Sequence, residues 1–125
     1  MEFSKVITQT TNVAGFVWYH DYPIFASDCN VIYSKGELLI TNKFIYEVLR
    51  LKQNEIYKLQ QGSGQPHVYG NDLAKIPIPI PPLAKQQKIA EHIDNIRTKA
   101  KILQQDAINI LDQAKNKVEE IILNG

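Results

Sequence analysis

Side chains able to do covalent chemistry are few in this chain, and they stand apart. The three histidines, His20, His67 and His92, have no metal-ligand spacing and read as ordinary surface or turn residues. Ser63 sits in Gly-Ser-Gly, but a nucleophile elbow needs glycine two residues to either side, where Gln61 and Gln65 stand. There is no P-loop and no dinucleotide fingerprint. Ile80-Pro-Pro-Leu83 lacks the Asn or Asp and the aromatic residue of an amino-methyltransferase motif, and no paired acid and lysine of the common nuclease type is present. Cys29 is the only cysteine, so it forms no internal disulfide, and no Cys pair exists to ligate a structural zinc. The expectation is a protein with no catalytic residue, no metal and no cofactor, in a reducing compartment.

Polar side chains suited to recognition gather in one segment. Gln61-Gly-Ser-Gly-Gln-Pro-His-Val-Tyr-Gly70 is a loop by composition. Gln, Ser and His reach base edges or phosphates, and glycine lets a backbone come close. If the chain contacts nucleic acid, the residues suited to it are Lys58, Gln61, Ser63, Gln65, His67 and Tyr69, with Lys52 and Lys75 as further phosphate ligands. A polar loop that merely caps a sheet would have the same composition. Charge decides little, because 14 Lys and Arg stand against 13 Asp and Glu. Up to residue 70 there are 6 basic and 6 acidic residues, and 8 and 7 after it, so a generic polycation is excluded. Any nucleic-acid contact must come from a local patch.

The elements that would carry these residues follow from patterning. At 125 residues and 44% hydrophobic the chain has one domain's length and is not disordered as a whole. Ala14 to Ile40 concentrates β-favouring and aromatic residues in short runs broken at His20–Pro23, Ser27-Asp28 and Lys35-Gly36, which predicts strands joined by turns. Along Gly15 to His20, positions 16, 18 and 20 share one face and 17 and 19 the other, and both faces look covered. Trp18, Tyr19 and Phe25 read as core rather than as stacking surface. Ile45, Val48, Leu49, Ile56 and Leu59 fall at helical offsets, predicting a helix from Lys43 to Gln53 with Asn42 as N-cap and a further turn or two beyond. In Lys75-Ile-Pro-Ile-Pro-Ile-Pro-Pro82 the prolines at 77, 79 and 81 remove N–H donors from one edge, predicting an edge strand or extended segment paired on one side at most. Pro82 suits the first turn of a following helix.

From Leu83 to Leu123 no proline or glycine occurs, and at 1.5 Å per residue such a helix would span roughly 60 Å. Ile89, Ile93, Ile96, Ala100, Leu103, Ala107, Ile110, Ala114 and Ile121 recur in alternating steps of four and three, with Lys117 the one break. That is a heptad seam, which needs a partner helix and by its spacing alone allows a parallel or an antiparallel one. Leu111, Val118 and Ile122 widen the stripe near its end.

Asp72 to Ile93, containing Ile-Pro-Ile-Pro-Pro-Leu83, Gln86 and Ile89, resembles the specificity subunits of type I restriction-modification enzymes. In that family an Ile-Pro-x-Pro-Pro-Leu segment closes a target-recognition domain and leads through a Gln and an Ile into a long helix. Lys85 stands where the family has an acid. Gly62 to His67 looks like the family's Gly-rich loop and Phe25 to Asn30 like its central strand, so the resemblance runs from about residue 12 to the end. It implies an α+β fold: a partial target-recognition domain over residues 1–82, then a long helix over 83–125 that pairs as a coiled coil. It implies as partners double-stranded DNA, the methyltransferase and restriction subunits, and a second copy through antiparallel helices. Family members have a longer N-terminal portion, so the chain reads as a half-subunit, a fragment or the tail of a fusion. A cytoplasmic location is expected, since no apolar run reaches a membrane span. The competing expectation is an assembly module that docks partner subunits without binding DNA.

Overall fold

In the computed structural model, residues 5–9, 14–25, 28–37, 39–62, 64 and 66–124 are described. The chain divides into two compact units, residues 1–90 and 91–125. The first holds a small antiparallel sheet of β1 (Lys5–Gln9), β2 (Val17–His20) and β3 (Cys29–Ile32), in the order β2-β1-β3. Among the described residues four helices follow: α1 (Asn42–Leu51), α2 (Gln53–Tyr57), α3 (Gly70–Leu73) and α4 (Leu83–Asn124), the last running on to form the second unit. The architecture is α+β, as the patterning predicts.

Register explains the core. Val6 pairs with Tyr19 on one side and Ile32 on the other. Val6 is fully buried, and Tyr19 and Ile32 pack against the core it belongs to. Helix α1 packs across β1 and β2 and adds Ile45 and Leu49, while Ala14, Val17, Ile56, Val68 and Leu73 complete the cluster. Each such aliphatic side chain stabilises the fold by about 1.5–3 kcal/mol through burial.

Several expectations are corrected here. The middle strand is β1 (Lys5–Gln9) and not the segment ending at Asn30, which the resemblance predicts to be central and whose last residues belong to the edge strand β3. β2 is covered on one side only. Its odd positions face the core, but Trp18 is 45% exposed, because β2 is an edge strand of a sheet with α1 on a single face. Trp18 instead packs tilted against Phe16, ring centroids 4.6 Å apart and planes at 55°, with the Arg50 guanidinium 5.0 Å from the Phe16 ring. Phe25 is 95% exposed and lies outside the strands, so of the three aromatics only Tyr19 joins the core.

Helix α1 starts one residue earlier than predicted, and Thr41 caps it, its hydroxyl accepting from the Phe44 N–H at 3.1 Å. Asn42 is committed elsewhere: its Oδ1 accepts the Ser34 N–H at 2.6 Å. The helix breaks at Lys52 and resumes as α2, where buried Gln53 donates to the Gly15 carbonyl at 2.7 Å and accepts the Val17 N–H at 3.0 Å. Gln53 thus supplies hydrogen bonds to backbone that an edge strand leaves unpaired. The Ile-Pro segment forms no ladder among the described residues. Its alternation survives: Ile76 and Ile78 pack against the core, with exposed Pro77 and Pro79 between them. Pro82 stands just before α4 and not in its first turn, its carbonyl accepting from the Lys85 and Gln86 N–H groups.

Candidate nucleic-acid interface

The Gly-rich loop is held at both ends. On the α2 side the Gln60 amide donates to the Ala14 carbonyl at 2.8 Å. Gln61 and His67 then exchange both backbone hydrogen bonds, each 2.8 Å, closing the loop as an antiparallel bridge. Val68 is fully buried, and Asn30 donates to its carbonyl at 3.2 Å, tying the loop's exit to β3. Between the anchors Gly62 and Gly64 have φ of 111° and 100°, a conformation that L-residues adopt rarely. A rigid frame therefore presents a short glycine-bearing tip.

Of the predicted contact residues, the structure brings together Gln61, His67 and Tyr69. The His67 and Tyr69 rings stack with centroids 6.1 Å apart, and Tyr69 is half exposed. The Gln61 amide nitrogen donates to Asp72 at 2.9 Å, which orients that side chain and commits one of its donors. Ser63 and Gln65 lie outside the described residues. Lys58 is exposed at the end of α2. Lys52 and Lys75 are each held by a neighbouring acid, Glu55 at 3.7 Å and Asp72 at 3.8 Å, which lowers their value as phosphate ligands. Sequence reasoning missed the supports Asn30, Gln60 and Asp72. No local signal marks them, since their partners are 38, 46 and 11 residues away.

Beside β3, an open groove of about 440 Å³ is lined by apolar side chains such as Ile32, Leu73 and Ile78. Cys29, at the start of β3, has its thiol pKa raised by burial first and by the Asp28 charge second, the reverse of an activated nucleophile. Among the described residues no three His, Cys, Asp or Glu side chains are grouped to hold a metal ion, and no helix is long and apolar enough to cross a membrane.

The junction with α4 is built around Gln86, which is fully buried. Its Oε1 accepts the Thr41 N–H at 2.9 Å, and its Nε2 donates to the Leu39 carbonyl at 2.7 Å and the Pro81 carbonyl at 2.8 Å. One amide thus locks the start of α4 to the loop before α1. Along α4, Ile89 and Ile93 are half-buried, whereas Ile96, Ala100, Leu103, Ala107, Ile110, Ala114 and Ile121 are exposed. Leu103 at 60% and Ile110 at 64% belong to a stripe that a lone helix leaves in water.

The comparisons with known proteins bear on the whole of this arrangement. The family model described as "Type I restriction modification DNA specificity domain" matches residues 3–116, which include the sheet, the Gly-rich loop, the Gln86 junction and most of α4. A protein of Haemophilus influenzae named "Putative type I restriction enzyme specificity subunit" is 24% identical over 104 residues, covering 80% of this chain and 26% of that protein. The chain therefore spans about a quarter of that relative's length. No solved structure matches. With the match spanning both the loop-bearing sheet domain and the helix it leads into, the chain belongs to the type I restriction modification DNA specificity domain family.

Proposed function

We propose that this chain is the DNA-recognition part of a type I specificity subunit. It binds duplex DNA through the domain of residues 1–82, assembles through the helix of residues 83–125, and performs no catalysis itself. The family match carries this reading, and the form of the Gly-rich loop supports it. The loop bears glycines and its ends are joined by the Gln61–His67 bridge, which suits an element whose backbone must come close to a groove. Lys58 supplies a phosphate contact, Gln61, Ser63, Gln65 and His67 supply groups for base edges or phosphates, and Tyr69 braces His67. The partners are double-stranded DNA in the cytoplasm, the methyltransferase and restriction subunits, and a second long helix. That helix comes from another copy, with Ile89, Ile93, Ile96, Ala100, Leu103, Ala107, Ile110, Ala114 and Ile121 as the interface.

The test is selection of bound duplexes from a randomised library, followed by affinity for the winners and for scrambled controls across a salt series. Recognition requires enrichment of a motif and an affinity that falls with salt. Lys58→Ala should weaken binding evenly across sequences and reduce the salt slope by about one phosphate's worth. Equal binding to all sequences, or none, refutes DNA reading by this chain and leaves only the assembly role of the helix.

A further inference from the structure

The seam of α4 has two kinds of core position, and they are filled unequally. One carries Ile93, Ala100, Ala107, Ala114 and Ile121, and the other Ile89, Ile96, Leu103, Ile110 and Lys117. A parallel, in-register pair sets like against like, giving three Ala–Ala layers between layers of two large side chains, and it places Lys117 against its own copy. An antiparallel pair sets one kind against the other. Each alanine then receives an Ile, a Leu or Lys117, and layer volumes even out, as close packing requires.

Charge selects among the antiparallel registers. Lys99 and Asp106 flank the seam, each just before an alanine of the first kind of position. Neither has an opposite charge three or four residues away on its own helix, where only Ile, Leu and Asn stand. Most other α4 charges do have such neighbours, as Arg97 has Asp94 at 3.7 Å and Lys117 has Glu120 at 3.9 Å; Lys85 and Lys101 lack one, and Lys101 lies away from the seam. From this we infer that two copies of α4 pair antiparallel in a single register, in which Lys99 of each faces Asp106 of the partner subunit.

That register places Ala100 opposite the partner's Leu103 and Ile96 opposite the partner's Ala107. Farther out it places Ile93 opposite the partner's Ile110 and Ile89 opposite the partner's Ala114. Ala90 meets the partner's Leu111, apolar against apolar, and Lys117 and Ile121 fall beyond the last paired layer, Ile121 beside the partner's Pro82 at the end of the interface. Sliding one heptad one way sets Lys117 against the partner's Ile93 and brings the two Asp106 carboxylates face to face. Sliding one heptad the other way brings the two Lys99 ammoniums together. The inference rests on the reading of α4 as a helix that pairs with another copy, and it adds the register and the charged pair that selects it.

Its test uses the full chain and sedimentation equilibrium on the wild type, Lys99→Glu, Asp106→Lys, and an equimolar mixture of the two variants, with helix content checked by circular dichroism. Each single change sets like charges against each other twice in the homodimer and should weaken self-association about tenfold. In the mixture every flanking pair is opposite in sign, so dimerisation should return to the wild-type level. Variants that dimerise as well as the wild type, or a mixture no better than its components, overturn the register while leaving self-assembly in place. A wild type that stays monomeric at all concentrations overturns both.

Discussion

Gln86→Leu should damage the junction severely, and its cost can be worked from the contacts. The side chain is fully buried and makes three hydrogen bonds between 2.7 and 2.9 Å, to Thr41, Leu39 and Pro81. Leucine fills nearly the same space but answers none of them. At about 0.5–1.5 kcal/mol for each bond, the loss is roughly 1.5–4.5 kcal/mol. Thr41 and Leu39 are otherwise exposed residues, so water recovers part of it, and the expected cost is about 2–3 kcal/mol. For a domain of this size that lowers the melting midpoint by roughly 10–20 °C. Trp18, the only tryptophan, reports on the sheet domain without interference from α4, so urea titration followed by its fluorescence is the assay. Gln86→Glu keeps the acceptor for Thr41 but turns an oxygen toward two carbonyls, and should cost at least as much. A leucine variant within about 0.5 kcal/mol of wild type would refute the junction as a hydrogen-bonded lock.

Three further outcomes are expected. Gly15→Ala should destabilise the sheet domain by about 2–3 kcal/mol in the same titration. Gly15 has φ of 93°, and a Cβ there would stand 2.8 Å from Ile56 Cγ2 and 3.2 Å from Val68 Cγ2. The Cys29 thiol should alkylate slowly at neutral pH, its rate–pH profile displaced upward from that of a free thiol because burial and then Asp28 both disfavour the thiolate. Asp28→Asn should move that profile partway back, as read from iodoacetamide kinetics. Ile96→Asp or Leu103→Asp should abolish self-association in light scattering by putting a charge into the seam at a cost of several kcal/mol, whereas an unchanged mass would count against the seam.

Legibility differed sharply along the chain. Helix α4 was readable over its whole length because its hydrogen bonds and its heptad stripe are local, and no proline or glycine interrupts them. The same locality made α1, the turn or two after it and the Gly-rich loop readable. The first sheet strand was not, because Lys5–Gln9 is central only by virtue of pairing with β2 and β3. Likewise Phe16 and Trp18 have the composition of core, yet which face of an edge strand is covered depends on where α1 packs. The cap at Thr41 displaced the one expected at Asn42 because Ser34, eight residues back, claims the Asn42 side chain.

By itself, then, the sequence determined the type of each long local element, the seam and its spacing, the glycine-bearing loop, and the family resemblance carried by Pro81, Pro82, Leu83 and Gln86. Only the tertiary structure decided that β1 is the middle strand, that Asn30, Gln60 and Asp72 anchor the loop, and that Gln86 holds the start of α4 rather than facing solvent. The reason is physical. Helical periodicity and turn chemistry are set within a few residues, whereas strand order and the choice of partner for a buried amide depend on groups tens of residues apart that only folding brings within 3 Å.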